Sequence, residues 1–566
     1  MKTKMMRTKM LLIFLFIAFL YRTDLAAQEI EIISKDLLIE DTRQLIKNIE
    51  VSHPDPYLNF GGKIAFHREF QKILSLTPKE GMTQNEFYNS LMPFVAKIGD
   101  MHTGLINPVK PMQNGPGLPL KFKIIDWDLV VVEVPSSEYK NLLGSKLVSI
   151  YDIPFEKLLV RQTQLRGIEN KPGELVFLSI SLKSSNGIKN IIPEWSINEK
   201  IPVEFKSKSG NIVKQDFQIS GDNKGNAISI PTKIVKPSVE KSDVVYSFID
   251  KEETALLVIS NMERYREASE SWFSSGMEGA AEYSGIAYQH FNNVEPPANR
   301  EDLLKGIPSA TETFVSLIQD LKMNKTKNLI VDLRDNTGGN SMMKEMLVYF
   351  LFGKEGLLSM NTGYQIIKYS DLYFQTYSSD SLSIINKHRD ILLTGDDYDF
   401  GKEKDFYKND VDLEQVEEFL QSSSTFWSVY KSEQYHIPAV QLENIIVLCN
   451  PYTTSSGFNL LTSLTEKGAK LLGTASAQPG NNFGDILFFQ LNNSEIKGYV
   501  SFKQNITFPE DPVKGKCFMP DYPLTYEKFA SYNFDPEAEI IYALEILNAS
   551  FSKSSKTKNN INEIKK

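Results

Sequence analysis

The chain has 566 residues, 41% of them apolar and 23% charged, which is globular composition and excludes a largely disordered or fibrous protein. With 62 Lys plus Arg against 71 Asp plus Glu the net charge is −9, so no global attraction draws it to nucleic acid or anionic lipid. Two cysteines, Cys449 and Cys517, exclude a disulfide-built scaffold and any zinc site of three or four thiolates.

At the N-terminus, Lys2, Lys4, Arg7 and Lys9 precede the apolar run Leu11–Leu20, ten residues long. A bilayer span needs about 20. Leu25-Ala26-Ala27 then sets a small residue before Gln28, so residues 1–27 are predicted to be a cleaved export signal rather than an uncleaved anchor. Cleavage removes five basic residues and one acidic one, leaving a more acidic mature chain. No later stretch reaches about 18 consecutive apolar residues, so no transmembrane helix is expected in the mature protein. The expected location is the bacterial periplasm or the extracellular space.

Residues 28–112 read as a helical region. Leu37, Leu38, Thr42, Leu45, Ile46 and Ile49 recur at helical spacing before a turn at His53-Pro-Asp-Pro56. Thr83-Gln-Asn-Glu86 is a capping-box pattern ahead of Phe87, Leu91, Phe94 and Val95. From 113 to 235 short β-type runs dominate (118–125, 129–134, 201–205 and 213–219), predicting a small, mostly β domain. Lys236–Asp243 is the expected linker. From 243 to 550 strands and helices alternate, predicting an α/β or α+β domain with a substantial sheet. Its clearest units are strand 327–333 leading to helix 341–352, and strand 444–449 leading to helix 456–467, with a further strand at 469–473. Cys449 falls within a buried strand, where a free thiol is at least as good a reading as a disulfide. Residues 551–566 are Ser, Lys and Asn with little apolar content and are expected to be a disordered tail.

Three segments carry chemistry. Asp332-Leu-Arg-Asp-Asn-Thr-Gly-Gly339 is a strand running into a Gly-Gly turn, which lets backbone N–H groups approach a ligand. Tyr452-Thr-Thr-Ser-Ser-Gly-Phe458 places Ser455 at a strand-to-helix corner, where free N–H groups favour developing negative charge. An ordinary N-cap is the plain alternative for that serine. Ile98-Gly-Asp-Met-His-Thr-Gly104 sets His102 in a loop between a helix and a β region; it is one of six histidines, and His67 and His388 lie in segments that read as exposed.

Taken together, these segments and the late Gly515-Lys-Cys-Phe-Met-Pro-Asp521 resemble the tail-specific, or C-terminal-processing, serine peptidase family in its tricorn-like branch. The resemblance implies a crotonase-like (ClpP-like) α+β catalytic domain preceded by a PDZ-like or other small β domain. It implies Ser455 as nucleophile, with an oxyanion hole from Gly338 or Gly339 and Ser456. Branches of the family that use a lysine base place it about 25 residues after the serine. Here Pro479 and Gly480 stand at that offset and no lysine is near. The histidine of the other branch maps onto His102, and imidazole accepts a serine proton at neutral pH. The chain departs from the family at Met101, where tricorn-like enzymes carry a serine, and near Lys514, where a glutamate is expected. Glu510, with Asp511 beside it, is the candidate for orienting His102.

The expected function is an exported serine-type peptidase acting on a peptide or protein substrate through a Ser455 acyl-enzyme, with no cofactor and no metal. The alternative is a catalytically silent relative binding peptide or an apolar ligand in the same cleft; small-ester hydrolysis would use identical machinery. The β domain at 113–235 would serve as a substrate C-terminus reader or as a spacer or lid. Sequence leaves the oligomeric state open.

Overall fold

The computed structural model describes residues 31–109, 115–219, 227–358, 363–377, 413–508, 510–511 and 513–549. The predicted export signal, His388 and the predicted tail lie outside the described residues.

Each apolar stripe of the N-terminal region forms a helix: α1 (Lys35–Ser52), α2 (Lys63–Leu76) and α3 (Gln84–Lys97). The capping box forms as its pattern predicts. Thr83 Oγ1 accepts from the Glu86 N–H while the Glu86 carboxylate accepts from the Thr83 N–H. The three helices bury Leu45, Ile49, Phe66, Phe87, Leu91 and Val95 in one core, which also takes in Leu491 and Ile496 from far along the chain. Short strands β1 (Ile32–Ile33) and β2 (Met82–Thr83) pair at its edge, and β3 (Gly104–Leu105) leaves it.

The next stretch builds a seven-stranded sheet from β4 (Lys121–Ile125), β5 (Asp128–Val134), β6 (Lys146–Ile150), β7 (Ile153–Pro154), β8 (Ile201–Lys206), β9 (Ile212–Phe217) and β10 (Ile228–Ser229), all antiparallel. It is less purely β than its sequence texture suggests. Helices α4 (Phe155–Thr163), α5 (Lys171–Ser181) and α6 (Ser185–Ile191) cover one face, burying Leu158, Leu178, Ile188 and Trp195 against Leu129, Val131 and Val203. The other face packs Val130 and Val132 on Leu524, Phe529 and Phe534.

The large sheet has the order β11 (Val244–Ile249), β12 (Thr254–Ile259), β13 (Asn328–Asp332), β15 (Asn444–Cys449), β16 (Lys470–Gly473), β19 (Tyr522–Pro523), with β14 (Tyr364–Ile367) belonging elsewhere. Strands β12 to β19 run parallel and only β11 is antiparallel. Parallel strands need crossovers that cover both faces, so β12 and β13 are buried at every position, as apolar runs without alternation demand. Helix Met342–Leu358 follows β13 and helix Ser456–Glu466 follows β15. Cys449 is a buried free thiol at the end of β15, and Cys517 is free as well.

A last sheet brings distant segments together. The hairpin β17 (Asn481–Gln490) and β18 (Lys497–Ile506) takes β14 on one part of β18 and β3 on another, with Gly104 opposite Tyr499 and Leu105 opposite Gly498. Asp41, on α1, accepts from the N–H groups of Asn493 and Ser494 at the hairpin tip. The N-terminal helices are therefore docked on the C-terminal half through its hairpin. A buried cation adds a second tie. Arg334, just past β13, reaches Asp332, Glu537 and Glu539 at 2.6–2.8 Å, and Glu539 also takes Lys123 from β4.

Candidate active site

Ser455 stands at the corner between β15 and helix Ser456–Glu466 with φ 53° and ψ −129°. A non-glycine residue holds that backbone at a cost of about 1–3 kcal/mol, which neighbouring contacts must supply. Here they do. Thr453 Oγ1 donates to the Leu333 carbonyl, the Thr454 N–H to the Asn336 carbonyl, and Ser476 Oγ to the Thr453 carbonyl. The Ser455 N–H donates to Gln478 Oε1. The corner thus rests on the turn after β13 and on the segment after β16, at the carboxyl end of the parallel strands, where open α/β sheets bind ligands.

The Gly-Gly turn packs directly against it. Gly338 and Gly339 have φ of 93° and 141°, and a Cβ on Gly338 would lie 2.6 Å from Ser455 Cβ and 2.7 Å from the Ser456 nitrogen. No side chain fits there. The Gly338 N–H donates to Asn336 Oδ1. Ser456 Oγ donates to the Gly339 carbonyl at 2.7 Å, locking the turn to the helix start. Among the described residues, the N–H groups of Gly339 and Ser456 have no protein acceptor.

His102 lies in the turn between α3 and β3, and its position follows from Asp100. That carboxylate is wholly buried and accepts four hydrogen bonds. Its Oδ1 takes the His102 N–H at 2.8 Å, and its Oδ2 takes Thr103 Oγ1 at 2.6 Å, Ser501 Oγ at 2.6 Å and His53 Nε2 at 3.2 Å. Ser501 is 401 positions away, on β18. His53 is likewise buried; its Nδ1 accepts the Asp55 N–H, so its proton sits on Nε2, facing Asp100. Burial keeps the His53 imidazole below its usual range despite that carboxylate. Burial alone would raise Asp100, but hydrogen bonds and charge from His102 and His53 hold it well below the ordinary carboxylate range.

The His102 ring itself is partly exposed, 41% of its side chain, while its Nδ1 is buried and has no hydrogen-bond partner. Asp100 Oδ1 is 3.7 Å from that nitrogen, too long for a hydrogen bond. Burial opposes charge on this imidazole, but Asp100, Glu169 and Asp485 together lift it above its ordinary value. One oxygen each of Asp100 and Glu169 and one ring nitrogen of His102 lie within 4.8 Å of one another, a spacing a small cation would also accept. Both Asp100 oxygens are already engaged, however, which favours an imidazole–carboxylate cluster over a metal centre.

The sequence-predicted residues fall into two groups joined by one segment. Ser455, Ser456, Gly338 and Gly339 form the corner; His102 belongs to the cluster behind it. Gln478 touches Ser455, and Asp485, a few residues on, faces His102. No hydrogen bond joins Ser455 Oγ to His102 among the described residues. Glu510 is exposed on the surface, and the carboxylates facing His102 are Asp100, Glu169 and Asp485. Sequence reading passed over His53, Glu169 and Gln478, none of which stands in a motif. His53 had one signal: a histidine beginning a Pro-Asp-Pro turn at the end of an apolar stripe.

A serine on a strained corner beside a Gly-Gly turn, at the carboxyl edge of a parallel sheet, suits a serine-type hydrolase. Residues 285–496 match Peptidase family S41, and the chain carries a domain of that family, which makes that class a serine-type peptidase. The match spans the Gly-Gly turn and Ser455 and leaves His102 outside. Among solved structures, mature CPAF complexed with lactacystin superposes with a TM-score of 0.52 at 15% identity, covering 90% of this chain and 99% of that one. Mature CPAF alone gives 0.51 at 14% identity, with 90% and 98% covered. The photosystem II D1 C-terminal processing protease gives 0.38 at 12% identity, with 88% and 94% covered. No curated protein matches the sequence.

Proposed function

We propose that the chain hydrolyses peptide bonds through an acyl-enzyme on Ser455, with His102 as general base and the N–H groups of Gly339 and Ser456 as oxyanion donors. The observation that carries this reading is the strained Ser455 corner packed on the Gly-Gly turn, in which the N–H groups of Gly339 and Ser456 have no protein acceptor among the described residues. His102 Nε2 takes the Ser455 proton as Oγ attacks the carbonyl, then passes it to the leaving amine. Of the two candidate glycines, Gly339 suits the oxyanion role, because the Gly338 N–H is engaged by Asn336. Catalytic hydrogen bonds are commonly long before substrate binds, so an open Ser455–His102 pair is compatible with activity. The same open pair supports a second reading, a silent relative that binds peptide in the cleft.

Labelling with a fluorophosphonate probe tests both. Labelling of the wild type, lost in Ser455→Ala and His102→Ala, supports the peptidase. A folded wild type that takes no label supports the silent binder, and label retained in Ser455→Ala overturns the site.

The His102 charge environment adds a pH expectation. A base must be neutral to accept a proton, and its carboxylate neighbours raise its affinity for one. The labelling rate should therefore rise with pH through a midpoint above about 6.5, the ordinary imidazole value. Rates measured from pH 5 to 9 decide it; a midpoint at or below that value contradicts the placement of His102.

Export completes the proposal. It rests on the basic residues and the apolar run before Leu25-Ala26-Ala27. N-terminal sequencing of the protein from a bacterial envelope fraction should begin at Gln28; a start at Met1 would contradict cleavage.

A further inference from the structure

Behind His102 three separate stretches of chain meet, and the group best placed to act on its free nitrogen comes from the middle one. Glu169 lies in the connection between α4 and α5, where Asn170 caps α5 by accepting the Gly173 N–H. Two glycines, Gly167 and Gly515, explain how that connection reaches the site. A Cβ on Gly167 would lie 2.2 Å from the Asp100 carbonyl oxygen, so only glycine lets this loop lie on the Asp100 backbone. On its other side, a Cβ on Gly515 would lie 2.6 Å from the Glu169 carbonyl oxygen. Glu169 is thereby held between the His102 loop and the late segment that carries Lys514. Lys514 Nζ donates to the Gly99 carbonyl at 3.1 Å and lies 3.7 Å from the centre of the Phe483 ring.

Two polar atoms in this cluster are buried without hydrogen-bond partners: His102 Nδ1 and Glu169 Oε1. They belong to two residues of which one ring nitrogen and one carboxylate oxygen lie within 4.8 Å of each other. Asp100 is not available for that role. Its oxygens serve His53, Thr103, Ser501 and the His102 N–H, which fix the loop rather than the ring.

We propose that Glu169 is the positioning residue for His102, its carboxyl accepting the Nδ1 proton and so directing Nε2 towards Ser455. This rests on the reading of His102 as base. In catalysis the proton leaving Ser455 Oγ goes to Nε2, the Nδ1 proton stays on the ring, and the imidazolium faces the Glu169 carboxylate. Burial and the Asp100 charge outweigh the opposing pull of Lys514 and His102 and push the Glu169 carboxyl up to about 8, so it accepts the Nδ1 proton only once it has ionised. His102 and Glu169 thus titrate together, with Asp100, Lys514, His53 and Asp485 as the charged or titratable neighbours. The consequence is that the peptidase site draws on all three regions of the chain: Ser455 from the corner of the large sheet, His102 from the turn after the N-terminal helices and Glu169 from the α4–α5 connection of the middle region.

The test is the pH dependence of fluorophosphonate labelling in the full chain. Glu169→Gln should slow labelling roughly 100-fold and move the pH midpoint down, because a charge that raises His102 is gone. Glu169→Asp should recover part of the rate. Lys514→Met should move the profile up, because labelling requires the Glu169 carboxylate and loss of the nearby cation raises the pH at which that carboxyl gives up its proton. With Ser455→Ala and His102→Ala both unlabelled, a Glu169→Gln variant within twofold of wild type and with an unmoved midpoint overturns the proposal while leaving the peptidase reading intact. Should Glu169→Gln fail to fold, Lys514→Met decides: an upward shift supports the proposal, and an unmoved profile overturns it. A wild type that takes no label overturns the parent reading itself.

Discussion

Ser455→Ala is expected to lower peptide hydrolysis by roughly 10⁴–10⁶-fold, and His102→Ala to come within about tenfold of the same loss. In the proposed mechanism the two act in one step, so a double variant should be hardly worse than either single one. What remains is the contribution of the Gly339 and Ser456 N–H groups and of substrate binding, which neither substitution touches. The structure gives a reason to expect folded variants. Ser455 makes its hydrogen bond to Gln478 through the main chain, and its Oγ holds nothing in place. His102 is tied to Asp100 through its N–H, which alanine keeps. Steady-state rates on a peptide library, together with thermal melts, check this. A multiplicative double variant would mean that serine and histidine do not act on the same proton.

Asp100→Ala should be the most damaging single change outside the corner, costing about 3–5 kcal/mol of stability. It removes the acceptor for two hydroxyls, a main-chain N–H and a buried imidazole, and alanine returns nothing to any of them. One of those hydroxyls belongs to Ser501, so the loop bearing His102 loses a tie to β18 as well as its internal turn. The sign of the pH dependence follows from the direction of the shift. The Asp100 carboxyl ionises below its ordinary range in the folded chain, so its contribution is complete above about pH 4 and declines as the pH falls towards the folded value. Urea midpoints of wild type and variant should therefore differ most near neutral pH and converge in acid. A gap below about 1 kcal/mol at pH 7 would show that the cluster is solvated rather than buried.

Much of the chain is legible one segment at a time. The apolar stripe from Leu38 to Ile49 can bury itself in only one way, and α1 follows. Thr83 and Glu86 close a capping box because three residues separate them. The run Asn328–Asp332 has no polar alternation, which suits a parallel strand covered on both faces, and it occupies an inner position of the large sheet. Ser455 and the Gly-Gly turn were readable for the same reason, since each lies where a strand gives way to a helix within a few residues.

The middle region shows where that legibility ends. Its β texture is real, yet α5 and α6 lay hidden in it, because Asn170 and Ser184 cap short helices whose apolar positions also suit strands. The partner of the base was harder still. Glu510 is close in sequence to the segment where a family pattern looks for a glutamate, but chain proximity does not set where a carboxylate points. Glu169 reaches His102 because Gly167 admits the Asp100 backbone, a contact between residues on different elements that no local pattern records. His53 is a further instance: its turn is evident in the sequence, and its buried bond to Asp100 is not.

The sequence by itself determined most of the elements, the two strand-to-helix corners and the place of Ser455 on one of them, because periodicity, capping and glycine turns act over a few residues. Tertiary structure alone decided which groups surround His102. That choice depends on the pairing of β3 with β18 and on the Asp100–Ser501 bond across 401 positions. Such contacts form only when docked surfaces exclude water, where an unpaired carboxylate or imidazole is costly enough to select its partner.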